Sequence, residues 1–297
     1  MVIGKWRKAE IHKECLKDAR DLALKIAAAQ IHPQFAQPDK NRNIIRRYCK
    51  RAAQQDVDLI VFPELCISGY NFSSKEQVDS FAEPVPEGPT TQLWIELAKE
   101  HNMIIVGGLA EQGRSEGIYN SAAIVGPDQF LGCYQKIHLF ANEKDWFLPG
   151  SQPPHVWKLP SAAIGVLVCF DWAFPEASRI LMLEGCEILC LPSNLVLPYA
   201  QRVMVARSIE NRIFTVLANR IGTEPSTGCK PITFTGSSQI TNPLGEILAR
   251  GSRTRSGLVI AEIQPQKAQD KFLTGQNHII NDRRVELYQR LCNGDQR

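Results

Sequence analysis

Short apolar runs alternate with helix-patterned segments along most of the chain. Apolar residues recur on one face of the segments 41–55 and 91–101, and further helices are predicted at 175–184 and 201–211. The apolar or alternating runs predict strands at 24–31, 58–64, 103–106, 120–125, 130–135, 163–168, 186–191, 215–218, 233–240, 245–248 and 258–262. Helices and strands alternate first and strands dominate later. This order predicts a layered α/β or α+β domain.

The first 22 residues are charged, and a helix is predicted over 13–24, next to the first strand. We interpret residues 1–22 as an N-terminal extension. A packed extra helix, a frayed tail and an upstream start codon all fit this segment. The remainder, 23–297, contains no linker-like Gly/Ser or Pro-rich tract, so we expect a single domain with a C-terminal tail from about residue 264.

A cysteine stands where one apolar strand ends. The run 163–168 stops at Cys169, and a helix opening with Pro175 follows, a position where the missing N–H of proline costs nothing. A sharp strand-to-helix turn exposes its residue at the sheet edge, and the helix N-terminus favours a thiolate there. The alternative is a buried structural cysteine, as most free cysteines are.

Two further charged residues follow apolar strands. Glu64 comes after the run 58–62 and Pro63, at a sheet rim where α/β proteins form sites. Lys136 ends an alternating stretch and is followed by apolar residues. The alternatives are a solvated loop glutamate and a lysine whose aliphatic stem is covered while its ammonium reaches water.

Together, Glu64, Lys136 and Cys169 resemble the Glu-Lys-Cys triad of the nitrilase superfamily of carbon–nitrogen hydrolases. The resemblance runs from about residue 24 to about residue 262 and continues weakly through 281–284. Glu143, seven positions after Lys136, matches the family's second glutamate. Around Cys169 and at 192–200 the chain is most similar to the thermoactive archaeal nitrilase and aliphatic amidase branch, and it lacks the Cys-Trp-Glu-Asn sequence of aromatic nitrilases.

The resemblance implies an α/β fold of the four-layer αββα sandwich type. It also implies pairing into an eight-layer homodimer, or a higher homo-oligomer, through the helices after Pro175 and Gln201. Glu64 is expected to act as base, while Lys136 and the backbone N–H of Phe170 stabilise negative charge on the substrate. Glu143 is expected to position Lys136 or the substrate. This chemistry needs neither a metal nor an organic cofactor.

His138 lies two residues after Lys136 and invites a Cys–His interpretation. We interpret it instead as a structural, hydrogen-bonding histidine, provided that Ile137 faces the core. Substrate-binding candidates follow a triad residue or a strand end, and about half of them are expected to touch substrate: Tyr70, Asn71, Trp146, Phe170, Trp172, Phe174, Asn194 and Tyr199. Ordinary core or interface packing is the alternative for the aromatic ones.

The positions after Cys169 carry no arginine, whereas the family's N-carbamoyl-amino-acid hydrolases place carboxylate-binding arginines there. The first arginine downstream is Arg179. A neutral or amine-bearing substrate is therefore favoured, unless Arg179 or Arg202 reaches the pocket.

The formal net charge is +3, and this small excess of positive charge does not indicate nucleic-acid or membrane partners. The nine cysteines lack CxxC pairs and predict a reducing compartment, hence a cytoplasmic location. Cys186 and Cys190 have no histidine close in sequence and are interpreted as buried thiols. The N-terminus shows no apolar signal region.

The sequence thus predicts a cysteine-dependent hydrolase of a non-peptide C–N bond in a small neutral amide or nitrile, which proceeds through a thioester or thioimidate and releases ammonia. An N-carbamoyl amine amidohydrolase and a catalytically silent binding protein are the alternatives. Acyl transfer to a lipoprotein would need membrane helices, which the sequence does not predict.

Overall fold

The computed structural model describes residues 23–113, 117–225 and 230–292. The helix predicted over 13–24 lies almost wholly outside these residues, and so does the N-terminal extension. The helices of the described residues are α1 Pro38–Ala53, α2 Lys75–Asp79, α3 Pro89–His101, α4 Glu143–Trp146, α5 Pro175–Leu183 and α6 Ala200–Asn211. Pro38, Pro89 and Pro175 each open a helix, where the missing proline N–H is tolerated.

In the described part of the chain, the first sheet has six strands in the order β14-β1-β2-β3-β4-β5. They are β1 Leu24–Gln30, β2 Leu59–Val61, β3 Ile104–Gln112, β4 Ile118–Val125, β5 Phe130–Gln135 and β14 Gly257–Ile263. Strands β1, β2 and β3 are parallel to one another, and the remaining neighbours are antiparallel.

The second sheet, as far as residues 23–113, 117–225 and 230–292 form it, also has six strands, in the order β13-β12-β9-β8-β7-β6. They are β6 Val156–Lys158, β7 Ala163–Val166, β8 Ile188–Ser193, β9 Phe214–Asn219, β12 Gln239–Thr241 and β13 Ile247–Arg250. Its parallel centre is β7-β8-β9. A separate two-stranded ladder joins β10 Thr223–Glu224 to β11 Ile232–Thr233.

The two sheets pack face to face, with β1 and β2 of the first sheet against β9 of the second. Alternate residues of β1 divide between two cores: Ile26 and Ala28 join the core between the sheets, and Ala27 and Ala29 join the core beneath α1 and α3. Helices α5 and α6 cover the outer face of the second sheet. The predicted αββα sandwich is confirmed.

One predicted strand is wrong. The segment 233–240 forms the end of β11 and the start of β12, and a break separates the two. Gly236 (φ +58°) and Ser237 (φ +55°) adopt the left-handed conformation, which interrupts an extended strand. The break lets the backbone N–H groups of Thr235 and Gly236 bond to the carbonyls of Leu195 and Arg220 in other loops. Tertiary hydrogen bonding therefore overrides the β-pattern here.

Among the described residues, no helix combines the length and the apolar character needed to cross a membrane. All seven cysteines in this part of the chain are free. Cys186 and Cys190 are buried, as predicted, although Cys186 precedes β8 instead of lying within it.

Candidate active site

The candidate site lies where the parallel strands of both sheets end, which is where α/β folds place their ligands. Glu64 follows β2 in the first sheet. Cys169 follows β7 in the second sheet, and Asn194 follows β8. Because the sheets are stacked, residues far apart in sequence meet at this edge.

Glu64 is held in a turn that is pinned to β3. The N–H of Gly108 donates to the Pro63 carbonyl (3.1 Å), and the N–H of Cys66 donates to the Gly108 carbonyl (3.0 Å). A Cβ atom at Gly108 would lie 2.5 Å from the Cα of Glu64, so only glycine permits this close approach. The position of Glu64 is therefore set by backbone contacts on both sides of the residue.

The two carboxylate oxygens of Glu64 have different surroundings. Oε1 accepts hydrogen bonds from Lys136 Nζ (2.7 Å) and from Asn120 Nδ2 (2.7 Å). Oε2 is buried and has no hydrogen-bond partner among the described residues. An unpartnered buried carboxylate oxygen is costly. This oxygen is therefore the one available to take a proton.

Lys136 is fully buried between two carboxylates. It follows β5, and its backbone N–H donates to the Asn120 carbonyl at 2.9 Å. Its Nζ lies 2.7 Å from Glu64 Oε1, 2.9 Å from Glu143 Oε1 and 2.7 Å from Glu143 Oε2. The lysine therefore does not reach solvent, which excludes the covered-stem alternative considered from the sequence.

Glu143 opens the short helix α4 and is buried. Besides Lys136, it accepts hydrogen bonds from the Tyr70 hydroxyl (2.7 Å, to Oε1) and from the Phe140 N–H (3.2 Å, to Oε2). A side chain that only accepts hydrogen bonds matches an ionised carboxylate. Glu143 thus supplies a fixed negative charge beside the lysine.

Cys169 stands at a strained turn. Its φ is +43°, in the left-handed region that a residue with a Cβ rarely adopts, and a 3₁₀ turn, Cys169–Ala173, begins at it. Such strain clusters at functional sites. The thiol is buried, with 6 % of the residue exposed.

Asp171 holds this turn together. Its Oδ2 accepts from the Val168 N–H (2.9 Å) and the Tyr134 hydroxyl (2.8 Å). Its Oδ1 accepts from the His138 N–H (3.2 Å) and lies 2.8 Å from His138 Nδ1. Tyr134 and His138 flank Lys136 in sequence, so Asp171 links the lysine segment of the first sheet to the cysteine turn of the second.

His138 is therefore engaged with Asp171, and its ring stacks on Phe174 with centroids 3.5 Å apart and planes 8° from parallel. Both contacts are those of the structural histidine that the sequence analysis favoured over a Cys–His arrangement.

The charges around the site act on the pKa values of its members. Burial raises the pKa of Glu64, and the charge of Glu143 adds to the rise, while Lys136 partly opposes it. Burial also raises the pKa of the Cys169 thiol well above its usual value, and Glu64 adds to this rise; Lys136 and a backbone hydrogen bond from Asn194 oppose it. Burial favours neutral Lys136, but Glu143, Glu64 and Cys169 outweigh burial and raise its pKa. Lys136 therefore stays charged, while burial favours the neutral forms of Glu64 and Cys169.

Asn194 is the substrate-binding candidate that the structure brings to Cys169. It is buried, and neither Nδ2 nor Oδ1 of its side chain has a hydrogen-bond partner among the described residues. An amide group in this state can both donate to and accept from a bound molecule.

Three aromatic candidates surround the cysteine turn. The Phe170 ring meets Trp172 and Phe174 edge-on, with centroids 6.2 and 5.5 Å apart, and it meets Phe140 at 5.1 Å. Phe170, Trp172 and Phe174 are all half-buried. They form an aromatic cluster in the turn that begins at Cys169.

Four candidates have other surroundings. The Tyr70 hydroxyl is bonded to Glu143, and the Asn71 side-chain amide donates to the carbonyls of Glu224 (3.4 Å) and Lys230 (3.1 Å). Trp146 packs edge-on against Phe72 at 5.9 Å, in a satellite core. Tyr199 is 50 % exposed before α6. The polar groups of Tyr70 and Asn71 are bonded to protein atoms, and substrate contact by these two residues stays a prediction.

Sequence reasoning missed Asn120 and Asp171. Asn120 is a polar residue inside the apolar strand β4, and it is fully buried, so this break in the pattern could have marked it. Asp171 lies two residues after Cys169, but nothing in the sequence shows that it receives bonds from another sheet.

The four-layer fold and the buried Glu-Lys-Cys cluster define the class of protein: they are those of the nitrilase superfamily. The chain belongs to the carbon–nitrogen hydrolase family, whose family model matches residues 25–271. It is therefore a carbon–nitrogen hydrolase of the nitrilase and amidase type.

Its relatives have several substrates in their names. The chain is 41% identical to a nitrilase of Pyrococcus abyssi over 265 residues, which cover 89% of this chain and 99% of the relative. It is 32% identical to an N-carbamoylputrescine amidase of Arabidopsis thaliana, with 88% and 94% covered. A solved structure of an amidase mutant from Nesterenkonia sp. AN1, with the acetamide moiety of fluoroacetamide on its active-site cysteine, matches with a TM-score of 0.74 and 26% identity, with 90% and 96% covered.

Proposed function

We propose that this protein hydrolyses a small neutral amide or nitrile, with Cys169 as the nucleophile and ammonia as a product. The observation that carries the proposal is the placement of Lys136 between Glu64 and Glu143, close to a strained cysteine, with Glu64 Oε2 free of hydrogen-bond partners in the described part of the chain. Glu64 supplies the base, Lys136 the positive charge and Glu143 the fixed countercharge.

In the first step Cys169 Sγ attacks the amide carbon while Glu64 Oε2 takes the thiol proton. The new C–S bond pushes the carbonyl electrons onto oxygen. Lys136 has three N–H donors, and one turns from Glu143 to this oxygen, together with the Phe170 N–H. Glu64 then gives its proton to the nitrogen, the C–N bond breaks, and ammonia leaves a thioester on Cys169.

In the second step Glu64 takes a proton from water as the hydroxyl adds to the thioester. The C–S bond breaks, the proton returns to sulfur and the carboxylic acid is released. A nitrile substrate requires one additional step before the thioester forms. It forms a thioimidate, which adds water and loses ammonia to give the same thioester.

The charge around the site favours a neutral substrate. Phe170, Trp172 and Phe174 form the aromatic cluster in the turn that begins at Cys169, and Lys136 is engaged with two carboxylates. Arg179 lines an outer groove with Arg283 and Tyr288 on the C-terminal segment, and Arg202 is exposed. Burying a carboxylate without a cationic partner costs several kcal/mol.

The experiment is ammonia release across matched amides, nitriles and carbamoyl compounds. We expect neutral amides or nitriles to exceed their ω-carboxylate analogues of equal chain length by at least about a hundredfold in kcat/KM, which corresponds to roughly 2.7 kcal/mol. Equal rates would contradict the neutral-substrate proposal. A preference for carbamoyl amines would select the activity named in the Arabidopsis relative.

The covalent intermediate has support in the Nesterenkonia amidase, whose cysteine carries an acetamide adduct. Iodoacetamide labelling tests the same property here, if it is mapped by peptide mass spectrometry. We expect iodoacetamide to label Cys169, and the experiment uses a Cys292→Ser background because Cys292 is exposed. Cys49, Cys66, Cys186 and Cys190 are buried and serve as internal controls.

We also propose a homodimer that forms through α5 and α6. These helices expose apolar side chains, including Ile180 (38 %), Leu183 (42 %) and Ile209 (42 %). Sedimentation should give about twice the chain mass of 33.3 kDa, and Ile180→Arg with Ile209→Arg should halve it. A monomeric wild type would contradict the dimer.

The free cysteines support a cytoplasmic location, which cell fractionation tests.

A further inference from the structure

A buried ion pair lies beside the site and takes no part in the steps above. Arg220 follows β9 and Glu224 ends β10, and neither side chain reaches solvent. Arg220 donates to the Pro33 carbonyl (3.0 Å), and its guanidinium lies 4.1 Å from the centre of the Phe234 ring. Burying two charges is expensive, so a pair in this position needs an explanation.

The contacts of the second carboxylate oxygen of Glu224 explain the buried pair. Oε2 accepts hydrogen bonds from the backbone N–H groups of Tyr70 and Asn71, each at 2.9 Å. A Cβ atom at Gly69 would lie 2.7 Å from Glu224 Oε1, which shows how closely the turn approaches this carboxylate. The loop after β2 is thus attached to β10 through the carboxylate of Glu224.

The attached turn leads directly into the site. The Tyr70 hydroxyl donates to Glu143 Oε1 at 2.7 Å, and Glu143 holds Lys136. The Tyr70 ring also meets Phe234 edge-on at 6.2 Å, and Phe234 is the ring beneath Arg220. The Arg220–Glu224 pair therefore supports Tyr70 in two ways, through its backbone N–H and through its ring.

We propose that Arg220 and Glu224 are positioning residues for the reaction, and that they act through Tyr70 on Glu143 and Lys136. This inference rests on the proposed function, because it concerns how Lys136 is aimed. A carboxylate that accepts two N–H bonds fixes the turn more tightly than one neutral acceptor, and Arg220 balances its charge. A misplacement of about 1 Å in a catalytic group can cost a hundredfold in rate.

A double-mutant cycle with Tyr70→Phe and Glu224→Gln tests the proposal. Tyr70→Phe removes only the hydroxyl, and Glu224→Gln keeps an acceptor for the two N–H groups but removes the charge. Each single variant should lower kcat of ammonia release at least tenfold and change KM less than threefold. The double variant should lie within threefold of the slower single variant, because both changes break one linkage. An effect equal to the product of the single effects would overturn the proposal.

Two controls separate positioning from general damage. Asp270→Asn breaks the surface pair with Arg212 (3.1 Å) and should leave kcat within twofold of wild type. If Glu224→Gln does not fold, Arg220→Lys replaces it in the cycle. It keeps a positive charge but loses the planar fork, and we expect the same non-additivity with Tyr70→Phe. Additive losses with this variant would equally overturn the proposal.

The rate of Cys169 labelling by iodoacetamide provides a readout that needs no substrate. It should fall at least fivefold in Tyr70→Phe and in Glu224→Gln, and no further in the double variant. If the wild type releases ammonia but the losses in the two single variants add up in the double variant, the positioning role is rejected and the proposed function is kept. If the wild type releases no ammonia from any compound but the labelling losses are non-additive, the proposed function is rejected and the positioning role is kept.

Discussion

At the scale of single residues, Glu64 shows how the site holds a proton ready for transfer. One of its oxygens is bonded to Lys136 and Asn120, and the other has no partner among the described residues. Burial raises its pKa, and the nearby Cys169 thiol also has a raised pKa because of burial. The raised pKa makes ionised Glu64 a stronger base than an exposed carboxylate, whereas the thiol does not ionise easily on its own, so proton transfer from sulfur to ionised Glu64 is coupled to attack on the substrate.

The raised pKa of Glu64 predicts a pH-dependent effect of Glu64→Gln on stability. The unfolded value is about 4.3. The folded value is higher, so the folded state binds the proton more strongly. The contribution of Glu64 to stability is therefore fully present below its pKa in the unfolded state, and it is lost as the pH rises through its pKa in the folded state. Glutamine does not titrate. The melting temperature of the variant minus that of wild type should increase between about pH 4 and pH 8.

The control for this experiment is Glu76→Gln. Its melting temperature minus that of wild type should decrease as the pH rises. Hydrogen bonds from its own backbone and from Ser74 lower the pKa of the exposed Glu76, so its contribution is lost as the pH falls. A Glu64→Gln difference that is flat or decreases with pH would contradict the burial argument. The same variant should also release no ammonia, since both steps use Glu64 as base.

At the scale of elements, the site depends on how tightly turns pack against strands. The Glu64 turn lies on Gly108 of β3, and the Cys169 turn is held by Asp171. Helix α6 adds a third support, because Arg207 donates to the Trp172 carbonyl at 3.2 Å. The elements therefore do more than end near the site, since contacts made by their backbone and side chains hold the Glu64 and Cys169 turns.

Gly108→Ala tests this dependence. Its Cβ would meet the Glu64 Cα at 2.5 Å and the Leu65 nitrogen at 2.7 Å, and backbone atoms cannot move aside as a flexible side chain can. We expect a loss of at least about 2 kcal/mol in the free energy of unfolding, together with a lower kcat. Urea unfolding and ammonia release provide the two measurements. Gly257→Ala is the control, because its Cβ would meet no atom of the described residues within 4 Å. Equal effects of the two changes would refute the packing argument.

The sequence predicted most of the elements because their apolar periodicity is strong. It failed at 233–240, where Gly236 and Ser237 break the strand in favour of contacts with distant loops. The same limit applies to the site. Glu64, Lys136 and Cys169 could be chosen because each follows a strand. The contacts of Tyr70 with Glu143 and of Asn71 with Glu224 could not be predicted, because the partners lie 73 and 153 residues away.

At the scale of the whole molecule, two stacked sheets bring together residues from opposite halves of the chain. The first sheet contributes Glu64 and Lys136, and the second contributes Cys169 and Asn194. The core between the sheets runs from Leu24 to Ala268 in sequence. Residues 23–297 as a single domain, with residues 1–22 as an extension, remain our proposal for its organisation.

Deletion of residues 1–21 tests that organisation. Strand β1 begins at Leu24 and pairs with β14 and β2, so the remaining chain retains both sheets. We expect a folded protein with kcat within twofold of the full chain, as measured by circular dichroism and ammonia release. Insolubility, or a change in sedimentation mass, would show that the segment packs as part of the structure. Deletion of 1–24 is the matched control and should destabilise the protein, because it removes the first residue of β1.

The central claim is that Cys169 forms the covalent intermediate, and acid quenching during turnover of the best amide tests it most directly. Peptide mass spectrometry should find the acyl group of the substrate on the peptide containing Cys169. Cys169→Ala should melt close to the wild-type temperature and release no ammonia. An acyl group on another residue, or activity in Cys169→Ala above about a hundredth of wild type, equivalent to a loss of less than 2.7 kcal/mol in transition-state stabilisation, would contradict the account.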